Sequence, residues 1–305
     1  MNFLETIIST PLGYVMEFCY MIVRSFPLAL FIFTILTRLL LFPLNIKQQR
    51  SMVKSSAMQG KVKEIQQKYA SDKQRQTEEL QKLYAEEKMN PLSGCLPLLI
   101  QLPIMYGLFF VIYKPLTYIL HVPQEIIDRA VAALSNVPAN SMYAQIDVVG
   151  QYDAIVKQVP ELANYGVQNM DMNLFGIINL GETPSFNNPS WLWLIPIASV
   201  VFQILQVFVM NFFNKRNGMP VTKSFLMIIV MPLIFFFFAF SVPGGVGFYW
   251  ACGSLVAILQ TCVTSTIYSP GRINARNEFR LAKGRLNKEK QIKDGRVHEE
   301  RAREV

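Results

Sequence analysis

Arg38 is the residue whose setting most plainly asks for chemistry. It lies in Phe26–Leu44, FPLALFIFTILTRLLLFPL, where thirteen of nineteen residues are Phe, Leu or Ile. A stretch of that length can cross a bilayer as a helix. At roughly −0.3 to −0.6 kcal/mol per apolar residue, the thirteen favour insertion by about −4 to −8 kcal/mol. A central arginine costs only about +2.5 to +3.5 on the same scale, so the segment still spans. The other long apolar stretches, Cys95–Tyr113, Trp191–Phe213, Phe225–Val242 and Val246–Ile267, contain neither Asp nor Glu. Arg38 therefore has no carboxylate inside the membrane to pair with. An unpaired guanidinium there can receive an anion, which makes it a fixed positive charge for an acidic group. The alternative is a snorkelling arginine with its stem in lipid and its head at the interface. Leu44 is six residues away, roughly 9 Å along a helix.

Other polar residues keep company with it. At about 100° per residue, Thr34, Thr37, Arg38 and Asn45 fall within one arc of roughly 100°. In the third apolar stretch Ser199, Gln203, Gln206 and Asn214 share an arc of about 80°. In the last, Tyr249, Gly253, Gln260 and Thr264 lie on one face. Three such stripes point to a hydrated cavity between helices lined by Arg38, Thr34, Thr37, Gln203, Gln206, Gln260, Ser199 and Tyr249. The same side chains could instead hydrogen-bond helices to one another.

The elements that must position these residues follow from hydropathy and charge. The chain has 305 residues and a formal charge of +8. Residues 47–91 carry ten Lys/Arg and six Asp/Glu, the link 214–224 adds Lys215, Arg216 and Lys223 with no acid, and the tail 269–305 carries eleven basic residues against six acidic. The loop 119–190 has only Arg129 and Lys157 against seven acids. The positive-inside rule then puts 47–91, 214–224 and the tail in the cytoplasm, and the N-terminus and 119–190 outside. The expected fold is an all-α membrane protein with five transmembrane helices and N-out/C-in topology. An outer amphipathic helix over 1–25 leads into the first span over 26–46. A cytoplasmic helical hairpin follows over 47–91, then the second span over 92–118 and the extracytoplasmic loop 119–190. The third, fourth and fifth spans are 191–213, 225–242 and 246–268, with the cytoplasmic link 214–224 after the third and the basic cytoplasmic tail 269–305 at the end.

Local patterns support these assignments. Leu12, Val15, Met16, Cys19, Ile22, Val23 and Phe26 recur at helical spacing, as an interfacial helix requires. Residues 1–25 lack a basic start and carry Glu5 and Glu17, so they do not read as a cleaved signal peptide. No small residue stands just before Cys19, which argues against lipidation. Val62, Ile65 and Tyr69 make one helical stripe, and Leu80, Leu83 and Tyr84 another, with a turn at Ser71-Asp72. In the outer loop, helical patterns run over Glu125–Leu134 and Asp153–Ala163, followed by a Gly/Asn/Pro-rich approach to Trp191. Pro243-Gly244-Gly245 leaves room only for a tight turn between the last two spans. Cys19, Cys95, Cys252 and Cys262 form no CxxC pair, so neither disulfides nor a metal site are expected. The two histidines are His121 and His298, and no HExxH or GxSxG occurs. The expectation is a protein that is not an enzyme and has no cofactor.

LTRLLLFPLNIKQQRS (36–51), NPLSGCLPLLIQLPI (90–104) and MPLIFFFFAFSVPGGVGFYW (231–250) resemble the signature stretches of the YidC/Oxa/Alb membrane protein insertases. The likeness covers all five expected spans in order. It implies a membrane protein insertase and chaperone that inserts nascent membrane proteins and helps them fold. It places Arg38 in a groove open to the cytoplasm and to lipid and closed toward the outside, and equates 47–91 with the family's cytoplasmic hairpin. Where the family has Asp-Leu-Gly before the third span, this sequence has Asn179-Leu180-Gly181. The large outer domain of some bacterial members and an organellar transit sequence are not seen, which points to a bacterial plasma membrane. The partners implied are nascent membrane proteins and the lipid bilayer. The ribosome, reached through the tail and hairpin, and the Sec translocon are further candidates. Anionic lipid headgroups are the alternative partner for the tail.

A small-solute transporter using the same polar cavity is the rival reading. Transporters commonly show internal repeats and broken helices, and no repeat is visible among five spans. The charge asymmetry makes a direct prediction. A reporter fused after Asn45 should be cytoplasmic and one within 119–190 should be outside. The reverse result at either site would undo the expected orientation.

Overall fold

The computed structural model describes residues 3–86, 96–134, 141–219 and 221–267, with scattered positions between 269 and 289. Its first element is helix α1 (Phe3–Val23), followed by α2 (Phe26–Leu40). Pro27 stands in the first turn of α2, where a missing N–H costs nothing. Pro43 decides where α2 ends. Its ring cannot sit one turn after the Leu39 carbonyl in a continuous helix, so the chain breaks at Leu41 and restarts as α3 (Phe42–Ala57), bent by 48°. The single span expected over 26–46 is thus a bent pair. Two further helices, α4 (Gln59–Lys68) and α5 (Lys73–Glu86), pack on each other about a turn at 69–72. Residues 87–91, which the hairpin was expected to include, lie outside the described residues, as does Cys95.

Within the expected second span lies α6 (Leu96–Tyr113), with Pro103 inside it. Lys114 interrupts it before the short α7 (Pro115–Tyr118). The outer loop is a folded cap. It contains α8 (Gln124–Ala132), α9 (Ala144–Gly150), α10 (Tyr152–Ile155) and 3-10 turns at Pro160–Tyr165 and Val167–Asn169. Leu116, Ile127, Val148, Ile155, Leu162 and Val167 form a core of its own. An antiparallel pair, β1 (Asn173–Leu174) and β2 (Ile178–Asn179), closes it, and this is all the sheet among the described residues. Neither α9 nor the strands were expected from sequence. Asn179 explains why the departure from Asp-Leu-Gly is tolerated: its Oδ1 accepts the Gly181 N–H at 2.9 Å, a bond that an aspartate would also make.

The last three helices are α11 (Leu194–Arg216), α12 (Met231–Ala239), preceded by a π-helical turn at Leu226–Val230, and α13 (Gly244–Ile267). α13 is the hub, packed on α11 along its length and on α2 from the other side. Small residues on it, among them Ala251, Gly253, Ser254 and Ala257, are buried and let the neighbours approach. Most of the exposed surface of α11 is apolar: Leu194, Val201, Leu205, Phe208 and Phe212 are exposed while Ser199 is buried. Polar residues inward and greasy residues outward is the arrangement that a hydrocarbon solvent demands.

Three described helices are long and apolar enough to cross a membrane: Glu5–Val23, Trp191–Arg216 and Gly244–Ile267. The bent pair of α2 and α3 makes a fourth. The apolar parts of the expected second and fourth spans form shorter helices. α1 qualifies by length; it packs chiefly along α6 and α2, and its polar and aromatic side chains also reach Lys114–His121 and the cap. Glu5 pairs with Lys114 and accepts from the Tyr118 hydroxyl, Tyr14 stacks on His121, Glu17 pairs with His121, and the Tyr20 hydroxyl donates to the Asn169 carbonyl. Gly107 on α6 permits the crossing, because a Cβ there would stand 2.7 Å from Ile8 and Leu12 of α1.

The Glu5–Lys114 pair should therefore hold α1 in place. Replacing Lys114 by Met leaves a buried carboxylate with only the Tyr118 hydroxyl, and the loss of one partner of a buried pair costs up to about 3–5 kcal/mol. Since the Lys114 side chain is 28% exposed, the expected loss is smaller, about 1–3 kcal/mol after solvent screening. Thermal unfolding in detergent should show Lys114→Met destabilised and Glu5→Gln/Lys114→Met more stable than the two single losses add up to. Strict additivity would mean that the two side chains do not interact.

Candidate functional site

Arg38 sits in the last turn of α2, facing α13. It fits there because residue 253 has no side chain: a Cβ built on Gly253 would lie 3.0 Å from Arg38 Nη2. The Nε of Arg38 is buried and has no hydrogen-bond partner, and no carboxylate pairs with the guanidinium among the described residues. The break at Leu41 leaves carbonyls of the last α2 turn in need of donors. Gln260 of α13 supplies one, its Nε2 donating to the Arg38 carbonyl at 2.9 Å.

The guanidinium lies on the wall of a cavity of about 400 Å³ between α2, α6, α11, α12 and α13. Its polar lining is Arg38, Asn45, Gln101, Gln203, Gln206, Tyr249 and Ser254. Leu41, Leu44, Leu102, Met105, Phe235 and Trp250 supply the apolar part. Gln101 Nε2 donates to the Tyr249 hydroxyl at 2.9 Å, which ties α6 to α13 across the cavity. Leu41, Leu44 and Asn45 carry the lining past the α2–α3 break, toward the end of the bundle that leads into α4 and α5.

Of the residues singled out from sequence, Arg38, Asn45, Gln203, Gln206 and Tyr249 meet on this cavity. The others lie beside it with their polar atoms already engaged. Thr34 and Thr37 turn their hydroxyls back onto the carbonyls of Leu30 and Phe33, at 2.7 and 3.0 Å. Ser199 is buried and accepts from Gln203 Nε2 at 3.0 Å, and Gln260 serves the Arg38 carbonyl. Helical-wheel spacing assigns a face but does not say where a hydroxyl spends its proton. Sequence reasoning missed Gln101 and Ser254. A signal for Gln101 was present: it is the lone amide side chain in LPLLIQLPIMYGLFF, between two prolines. Ser254 is one small residue among several and gave none.

Chemically, the site offers a delocalised cation, neutral amide and hydroxyl groups and a greasy wall. A carboxylate entering it would find charge-assisted donors that no acid among the described residues occupies. His121 is in the cap, far in sequence from the lining residues, and pairs with Glu17. No group of three or more His, Cys, Asp or Glu that could hold a metal ion comes together among the described residues.

Packing at Gly253 is testable without any assumption about function. Gly253→Val should push the guanidinium out toward the open cavity, whereas Ala asks it to yield only a few tenths of an ångström. Phenylglyoxal modification of Arg38, followed by mass spectrometry, should speed up severalfold in Gly253→Val and barely change in Gly253→Ala. Equal rates in all three proteins would show that Arg38 does not rest against Gly253.

Comparison with known proteins adds an independent line. The family model described as 60Kd inner membrane protein matches residues 18–270. "Membrane protein insertase YidC" of Brucella melitensis is 28% identical over 259 residues, covering 84% of this chain and 35% of that protein. The protein of the same description in Rickettsia massiliae is 30% identical over 257 residues, 83% of this chain and 38% of its own. That of Sinorhizobium medicae is 29% identical over 254 residues, with 83% and 35% covered. The chain thus spans little more than a third of the length of the curated relatives it matches.

Proposed function

This chain belongs to the 60Kd inner membrane protein family, the YidC/Oxa/Alb insertases, and on that premise we propose that it inserts nascent membrane proteins and helps them fold. It is a multi-pass protein of the bacterial plasma membrane. The observation that carries the functional reading is the guanidinium of Arg38, without a carboxylate partner among the described residues, on the wall of a cavity that is part polar and part greasy. The five-span, N-out/C-in arrangement belongs to this reading. In it α2 with the start of α3, the 92–118 segment, α11, the 225–242 segment and α13 cross the membrane, α1 lies on the outer face, and the helices over 47–91 and the tail are cytoplasmic.

The physical step is the transfer of a polar flank. A substrate segment must carry its flank across about 30 Å of hydrocarbon. With the basic segments in the cytoplasm, the cavity that begins near Asn45 and reaches Arg38 and Tyr249 is a wet notch in the inner half of the bilayer. It shortens the apolar distance that the flank must cross. Arg38 holds an acidic flank there: two unit charges 4 Å apart attract by about 4 kcal/mol at an effective dielectric of 20. Gln101, Gln203, Gln206 and Ser254 offer hydrogen bonds to the flank in place of water. Meanwhile the apolar part of the substrate leaves along Leu102, Met105, Phe235 and Trp250 into lipid. No bond is made or broken, so the driving force is the partitioning of the substrate, with a contribution from the membrane potential for charged flanks. The ribosome and the Sec translocon fit this reading as partners on the cytoplasmic side and in the membrane.

The test varies charge at one atom cluster and at one substrate feature. Arg38→Lys should keep most insertion, because the charge matters more than the fork. Arg38→Ala should lower insertion of a substrate with an acidic flank by about tenfold, the effect of roughly 1.4 kcal/mol of lost attraction, and Arg38→Glu should lower it further. The same substrate with a short neutral flank should be nearly indifferent to all three. Protease protection of the paired substrates reads the result. Wild-type insertion of both substrates by every variant would reduce Arg38 to a snorkelling residue.

A further inference from the structure

The β-hairpin that closes the cap carries side chains that nothing among the described residues covers. Strands β1 and β2 pair Asn173 with Asn179 and Leu174 with Ile178, leaving Phe175, Gly176 and Ile177 at the tip. Leu174, Ile178 and Leu180 pack on Leu192 and Ile195, at the start of α11. Phe175 and Ile177 face away from that core and are 85% and 62% exposed. Phe175 also holds a left-handed backbone, with φ of 56°, beside Gly176 at 73°. A bulky residue in that conformation is strained, and strain that persists at a tip is a pointer to use.

What meets the tip follows from its level along the bundle. The carbonyl of Asp171, just before β1, accepts the N–H of Phe26, the first residue of α2. Just after β2, the carbonyls of Leu180 and Glu182 accept the N–H groups of Gly245 and Gly244, the first residues of α13. The candidate span of α11 begins at Trp191, itself 65% exposed. The hairpin is therefore fastened where three apolar helices start, which is the height of a membrane–water interface. From Trp191 the exposed stripe Leu194, Val201, Leu205 and Phe208 runs down α11, so the apolar surface continues from that level into the hydrocarbon zone. Aromatic and aliphatic side chains are anchored at such interfaces.

We propose that the Phe175-Gly176-Ile177 tip is a membrane anchor that inserts into the headgroup–acyl boundary of the leaflet at that end of the bundle and so holds the cap against the bilayer. Residues 173–179, NLFGIIN, carry no charge. The anchor accordingly takes neutral lipid as readily as anionic lipid and is insensitive to salt. It is independent of the cavity and of the role given to Arg38.

The test uses the full chain in vesicles of a zwitterionic lipid, with the native cysteines replaced and Ile177→Cys labelled by an environment-sensitive fluorophore. Asp153→Cys, on exposed α10 of the cap, is the control. Iodide should quench the label at 177 at least about threefold less than at 153, as expected for a site within the interface. A lipid with its spin label near the headgroup should quench 177 more than one labelled deep in the chain, and anionic lipid should change neither value. Equal iodide quenching at 177 and 153 would put the tip in water and overturn the proposal. Shielding from iodide without quenching by either lipid would mean a protein contact, which overturns it equally. Phe175→Trp gives a second reading that keeps an aromatic ring at the tip. Its added emission should be quenched by lipids brominated near the headgroup, and failure of that quenching in folded protein also sinks the idea.

Discussion

An arginine inside an apolar helix has to be housed, and much of this structure can be read as its housing. The guanidinium cannot be left in hydrocarbon, and no acid is present on any long apolar segment to neutralise it. α13 resolves this by presenting a face of small residues. Gly253 makes room for the head group, Ser254 adds a polar wall and Gln260 takes the α2 carbonyl. The same small residues let α11 pack closely, which brings Gln203 and Gln206 to the cavity. One constraint on one side chain thus reaches into the packing of three helices.

The second organising feature is the break at Leu41. Because Pro43 cannot continue α2, the chain bends by 48°, and Leu41, Leu44 and Asn45 become the rim. On the proposed reading this bend leaves the notch open to the side from which substrate arrives. The cap sits at the opposite end. It has its own core, and Asp171, Leu180 and Glu182 tie it to the starts of α2 and α13; on the proposed reading it closes the notch there.

Part of this was legible in the sequence. Arg38 stood out as a charge among thirteen apolar residues, and helical spacing grouped Gln203 with Gln206 and marked the face of Tyr249, side chains that line the cavity. Spacing does not say where Thr34, Thr37 and Ser199 place their hydroxyls. They share the face, but their hydroxyls are satisfied locally before they reach the cavity. Gln101 was overlooked because one amide in a proline-punctuated span makes no stripe. The strands were invisible for a physical reason as well: two residues each are too few to show alternation, and their register depends on Leu192 and Ile195 some fifteen residues further on. Pro43 was visible, but a proline marks where a helix is perturbed and does not give the angle of the bend.

The central claim is that a translocating flank lies in the cavity beside Arg38, and contact between the two tests it most directly. A photoactivatable side chain can be placed at Gln206, on the cavity wall, or at Leu28, exposed on α2 away from it. Each protein is then offered a ribosome-bound nascent membrane segment whose acidic flank is still untranslocated. Crosslinking from position 206 to the flank and none from position 28 is the expected result. Equal crosslinking from both, or contact from position 28 alone, would contradict the claim that the Arg38 cavity receives the substrate.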